Sequence, residues 1–192
     1  MRSFTVTRKT RETDIRIKLN LDGSGVVHCL SGNGFFDHMI QAMGKHSGYD
    51  ISIECSGDTE VDFHHSAEDI GIVLGHAFAE CTKDKRGCRR FGTAYTPMDE
   101  ALVMAATDLS SRPFLVFNAE LPAERVGSFE TELAEEFFRA FAMHAQITLH
   151  INMLYGKNTH HILEAMFKSV GRALAQSTEI IGDTLLTTKG VL

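Results

Sequence analysis

Apolar residues recur in two rhythms along this chain, and the order of the rhythms repeats. Asp50-Ile-Ser-Ile-Glu-Cys55 alternates polar and apolar at a period of two, which predicts a strand, and so does Gln146-Ile-Thr-Leu-His-Ile151. A helically spaced stretch precedes each strand, Phe35 to Gly44 in one case and Glu132 to Ala142 in the other. A second helix follows each, over His64–Ala79 and His160–Ala175. These later helices align at an offset of 96, with identities at His64/His160, His65/His161, Glu68/Glu164, Gly75/Gly171, Ala77/Ala173 and Ala79/Ala175, and the strands before them align at the same offset with no gap. Leading strands are expected near Phe4–Lys9, Thr13–Leu21 and Gly25–Cys29, and near Gly92–Tyr95, Ala101–Asp108 and Phe114–Glu120. Turns fall at Asp22-Gly23, Gly32-Asn33-Gly34 and Arg112-Pro113. The pattern predicts an α+β fold, an internal duplication of a strands-helix-strand-helix half-domain with helices between or against two sheets. Residues 1–192 form one domain on this reading, with repeats of approximately 1–88 and 89–192.

Composition narrows the function classes. With 43% hydrophobic and 23% charged residues the chain is an ordinary globular protein and not a disordered one. A net charge of −6 supplies no basic footprint for nucleic acid, yet leaves room for a local cationic pocket that takes a small anion. No run of about 18 apolar residues predicts a membrane span. Met1–Arg11 has no apolar secretory core, and Cys29, Cys55, Cys81 and Cys88 form no CxxC, so a reduced, cytoplasmic location is expected. Gly23-Ser-Gly25 is no dinucleotide fingerprint, because no third glycine and no helix follow in frame.

The unusual count is ten histidines, four of which sit in the repeated His-His-x-x-Glu box. On a helix, residues three and four apart are neighbours, so Glu68 stands beside His64 and His65, and Glu164 beside His160 and His161. Adjacent histidines diverge by about 100° around the axis and so suit two ions better than one. Imidazole and carboxylate donors without thiolate fit Mn, Fe, Co or Zn rather than a closed structural zinc site. A single His-His pair is usually surface or core packing. Two pairs in matching frames, each with its glutamate, have no packing reason to recur. His38 and Glu136, on the preceding helices, are further candidate ligands. His28, His46, His76, His144 and His150 repeat no ligand frame and read as structural.

Phe35-Phe-Asp-His-Met39, Asp62-Phe-His-His-Ser-Ala-Glu-Asp-Ile-Gly71, Met98-Asp-Glu-Ala-Leu102, Leu149-His-Ile151, Asn158-Thr-His-His-Ile-Leu-Glu164 and Lys189-Gly-Val-Leu192 occur in this order. Together they resemble the imidazoleglycerol-phosphate dehydratase family of histidine biosynthesis. The resemblance implies two four-stranded sheets with helices packed between them, like the second domain of a small-subunit ribosomal protein. It implies two Mn2+ ions per active site, with Fe, Co or Zn not excluded, held by His38, His64, His65, Glu68, Glu136, His160, His161 and Glu164. Position 136 departs from the pattern, since many members carry histidine there. The family also implies a homo-oligomer of 24 subunits built from trimers, with active sites between subunits. At this length a monofunctional enzyme is expected.

The implied reaction removes water from a phosphorylated imidazole, imidazoleglycerol phosphate, to give imidazole acetol phosphate. The proton to be lost is not alpha to a carbonyl, so the ring itself must push out the hydroxyl. Coordination by two metals favours the imidazolate that does so. The resemblance points to Glu12 as the acid for the leaving hydroxyl and to Glu164 or Asp99 as the base. It points to Arg90, Arg112, Lys168, Thr187, Thr188 and Lys189 for the phosphate. A dinuclear metallohydrolase is the competing enzyme class, although such sites usually mix in bridging aspartates. A ferritin-type metal store fits poorly, because its Glu-x-x-His order is reversed here and strands are plentiful.

Overall fold

Alternation along Thr13–Asn20 buries Thr13, Ile15, Ile17 and Leu19 and turns the residues between them outward, the signature of a sheet packed on one face. This strand, β2, pairs antiparallel with β1 (Ser3–Lys9) and with β4 (Asp50–Gly57), and β3 (Val27–Leu30) joins β4 in parallel, giving the order β1-β2-β4-β3. In the computed structural model, which describes residues 1–190, the second half repeats this plan. Strands β5 (Phe91–Met98), β6 (Ala101–Asp108), β7 (Phe114–Asn118) and β10 (Thr148–Tyr155) form a sheet ordered β5-β6-β10-β7, again with one parallel pair, β7 with β10. A short hairpin, β8 (Arg125–Val126) and β9 (Phe129–Glu130), interrupts the route from β7 to the next helix and has no counterpart in the sequence-based expectation.

Four helices lie between the sheets: α1 (Gly34–Ser47), α2 (His64–Cys81), α3 (Leu133–Ala145) and α4 (Thr159–Thr178). Helix α2 covers β1 and β2, and α4 covers β5 and β6, while α1 crosses α4 and α3 crosses α2. Each half therefore lends one helix to the other, and the α+β expectation with helices between two sheets holds. Phenylalanines fill the junction: Phe36 lies 5.2 Å from Phe137, and Phe138 lies 4.6 Å from Phe167, all fully buried.

The crossings are close because glycine stands at each. A Cβ on Gly75 would lie 2.7 Å from the Phe141 carbonyl oxygen, and one on Gly171 would overlap the Met43 carbonyl oxygen. Local signals set the helix ends. The Asn33 side chain accepts from Phe36 N at 3.2 Å to open α1, and the Asn158 side chain accepts from His160 N at 2.9 Å to open α4.

The repeat alignment needs one correction. Helices α2 and α4 match at an offset of 96, but the helices and strands before them match at 98. The buried residues Phe36, Met39, Ile40, Ala42, Met43, Gly44 and Ser47 of α1 map onto Ala134, Phe137, Phe138, Ala140, Phe141, Ala142 and Ala145 of α3 at 98. Gly48 and Gln146, both left-handed caps with φ of 75° and 55°, also match at 98. So do the rungs Asn20–Asp50 and Asp108–Thr148, once the hairpins are aligned at 88. Gln146 thus ends a helix rather than starting a strand, and the ungapped alignment of the strands fails. Between matching positions the route from β4 to α2 is two residues longer than that from β10 to α4. At the new offset His38 and Glu136 become the same position of the repeat.

Candidate active site

Helix α1 presents His38 toward the first turns of α4, where His160 and Glu164 lie one turn apart. His38 Nε2 and His160 Nε2 stand 3.3 and 3.2 Å from the same oxygen, Glu164 Oε2. One ligand atom from each residue falls within 4.8 Å of the others, the only such group of three among the described residues. Two imidazoles and one carboxylate, with no thiolate, suit a borderline divalent ion and leave coordination positions open for a substrate. The donor set therefore fits a transition metal. The other carboxylate oxygen, Oε1, meets Lys168 Nζ at 2.6 Å. Burial would raise the Glu164 pKa, but the lysine, and then His38, outweigh it and hold the carboxyl below its usual range.

His161 points to a different partner. Its Nδ1 donates to Glu100 Oε2 at 2.7 Å, and Asp99 Oδ2 lies 3.7 Å from its Nε2. Glu100 also accepts from the amides of Lys157 and Asn158 at 3.0 and 2.7 Å. These donors, His161 first, bring its pKa down to about 2, and the carboxylate in turn raises that of His161. In the first repeat His65 Nδ1 donates to Asp58 at 3.0 Å, which raises the imidazole pKa. Glu12, in the β1–β2 turn, adds to that field and occupies the repeat position of Glu100. A carboxylate on Nδ1 presents Nε2 as the free donor atom of each ring. Asp58 carried no signal in the sequence. Glu100 would have shown itself only by an alignment of the two hairpins.

His64, Glu68 and Glu136 are the repeat counterparts of His160, Glu164 and His38, on the α2–α3 pair instead of α4–α1. They do not close into a cluster within this chain, and Glu136 instead lies 3.7 Å from Arg139.

The expected phosphate ligands separate into two places. Arg90, Arg112, Thr187, Thr188 and Lys189 line one cavity of about 840 Å³ together with Ser110 and Ser111. Arg90 is anchored by Asp108 at 2.8 Å and donates to the Leu186 carbonyl, which ties the C-terminal segment over the cavity. Val191 and Leu192 lie outside the described residues. Lys168 is not part of this cavity, being engaged by Glu164. The cavity sits at the Phe91–Asp108 end of the β5–β6 hairpin, and Asp99 and Glu100 form its opposite turn. Seven residue steps at about 3.3 Å each put roughly 23 Å between the cation cavity and the histidine cluster.

A family model described as imidazoleglycerol-phosphate dehydratase matches residues 31–174. The imidazoleglycerol-phosphate dehydratase of Acetivibrio thermocellus is 53% identical over 193 residues, covering 100% of this chain and 99% of the relative. The chain belongs to the imidazoleglycerol-phosphate dehydratase family. The family member from Caldanaerobacter subterraneus is 52% identical over 194 residues, with full coverage of both chains. The crystal structure of the Staphylococcus aureus dehydratase superposes with a TM-score of 0.85 at 43% identity, over 93% of this chain and 99% of that one. The structure of the Pyrococcus furiosus family member matches with a TM-score of 0.83 at 36% identity, over 97% and 100%. The family is thus shared over the whole length, and the duplicated two-sheet fold is shared with solved members. No helix among the described residues is long and apolar enough to cross a membrane.

Proposed function

We propose that this chain is a hydro-lyase that converts imidazoleglycerol phosphate to imidazole acetol phosphate and water in histidine biosynthesis. The observation that carries the reading is the His38–His160–Glu164 cluster, open to solvent on its histidine side and joined to Lys168 through the carboxylate. That cluster would hold one divalent ion, Mn2+ by family resemblance. His64, Glu68 and Glu136, its counterparts in the other repeat, would hold a second once subunits meet, with His65 and His161 offering their Nε2 atoms. When bound, these ions polarise the substrate imidazole and stabilise negative charge on it. Glu12, exposed beside His65, gives its proton to the hydroxyl as the carbon–oxygen bond breaks, and the hydroxyl leaves as water. Asp99 takes the proton from the adjacent carbon, and the resulting enol becomes the ketone. Asp99 is favoured over Glu164 as the base because both oxygens of Glu164 are engaged, one by Lys168 and one by the two histidines. Arg90, Arg112, Thr187, Thr188 and Lys189 take the phosphate, and Lys168 keeps Glu164 ionised.

The substrate spans far less than the roughly 23 Å between the histidine cluster and the cation cavity of one chain. The phosphate site therefore comes from a different subunit than the His38–His160–Glu164 cluster, in keeping with a homo-oligomer of 24 subunits built from trimers. The two repeats, about 1–88 and 89–192, act as one catalytic domain. A cytoplasmic location agrees with four cysteines that form no disulfide among the described residues. Incubating the Mn2+-loaded protein with imidazoleglycerol phosphate tests the reading, with the ketone as the expected product. Release of phosphate without ketone would instead assign a metallohydrolase.

A further inference from the structure

Two histidines outside this machinery meet across the α2–α3 crossing. The rings of His76 and His144 lie 5.0 Å apart between centroids, tilted by 55°. Gly75 makes the approach possible, because a Cβ there would stand 2.8 Å from the His144 Cβ. His144 Nδ1 donates to the carbonyl of Ala140, one turn back, at 2.8 Å. The hydrogen bond fixes the tautomer and leaves Nε2 as a lone-pair donor. Helix α2 brings Glu80 onto the face of His76, one turn further on. All three residues line a surface cavity of about 530 Å³. Its two lysines are engaged already, Lys83 by Glu80 at 3.8 Å and Lys85 by Ser111 Oγ at 3.0 Å.

We propose that His76 and His144 form a second transition-metal site, separate from the family's own, that clips α2 to α3. Two imidazole nitrogens bound to one ion at about 2.0–2.1 Å bring their rings to about this separation. Water completes the shell, since Glu80 is paired with Lys83. A site of two imidazoles and few other donors selects the tighter-binding divalents, nickel, copper or zinc, over manganese. The clip joins the first repeat to the second across the crossing that Gly75 opens.

Equilibrium dialysis of Ni2+ against the full-length, Mn2+-loaded protein tests the site, in wild type, His76→Ala and His144→Gln. Wild type is expected to take up one more Ni2+ per chain than either variant, with at least about tenfold weaker uptake at this site once a histidine is lost. Mn2+-dependent turnover and the metal-free melting temperature of His76→Ala should not change. If His144→Gln fails to fold, His76→Ala decides alone, since its side chain is exposed. Equal Ni2+ uptake by wild type and His76→Ala would overturn the proposal. So would a cavity that binds inorganic phosphate through Lys83 and Lys85 while Ni2+ uptake ignores both histidines.

Discussion

Replacing Gly171 by alanine tests how the His38–His160–Glu164 cluster is held together. The new Cβ would overlap the carbonyl oxygen of Met43 and stand 3.1 Å from its carbon and 3.2 Å from its Cα. Both partners are helical backbone, so no side-chain rotation relieves the contact. An ordinary carbon–oxygen approach of about 3.3 Å requires α1 and α4 to part by about 1 Å. His38 lies five residues from Met43 on α1, and Glu164 seven from Gly171 on α4, so most of that displacement reaches the 3.3 Å His38–Glu164 contact. Overpacking costs about 1–3 kcal/mol, and the better helix propensity of alanine returns about 1 kcal/mol. The net loss of up to about 2 kcal/mol corresponds to a melting temperature lower by up to about 8 °C for a chain of this size. Metal content and turnover, measured on the folded variant, should fall further than stability does. Gly182→Ala is the control, because a Cβ there meets nothing within 4 Å. A Gly171→Ala protein with wild-type metal content and melting temperature would refute the account of the crossing.

Other consequences are open to test. Asp99→Asn should lower turnover while metal content is kept, whereas Glu164→Gln should lose metal; the opposite pattern would exchange the roles assigned to them. If the ligands of one metal come from two subunits, thorough chelation should shift the protein to smaller species in size-exclusion chromatography. An unchanged elution volume would contradict the shared site. Asp22 is held below its ordinary pKa of 3.8 chiefly by its hydrogen bonds to Arg2, so the contribution of this pair is present above that pH and fades as pH falls through the lower folded value. Asp22→Asn should therefore flatten the fall in urea midpoint between about pH 4 and 2, by less than about 1 kcal/mol because the pair is partly exposed. Tyr49→Phe removes a buried 2.6 Å hydrogen bond to Thr178, which keeps its bond to the Leu174 carbonyl, and should cost about 1 kcal/mol in chemical unfolding. No measurable loss there would mean that the bond contributes nothing net.

Much of this architecture is local and was therefore legible. His160 and Glu164 meet because four residues make about one helical turn, whatever surrounds them. Strand β6 spans Ala101–Asp108, the limits expected from its apolar run. The paired glycines Gly75 and Gly171 stood in matching frames, although only the packed helices revealed the carbonyl that each one clears.

By itself the chain determined the duplicated plan, the family and the donor types of a metal centre, because these depend on short-range spacing and on residue chemistry. Strand register lay beyond its reach. A shift of two residues leaves every apolar side chain on the same face, so offsets of 96 and 98 looked alike until the helices and rungs were in place. With register came the equivalence of His38 and Glu136, the separation of Lys168 from the Arg90–Arg112 cavity, and the long hairpin that parts that cavity from the histidines. Each of these is a distance between segments far apart in sequence, and only packing sets such distances.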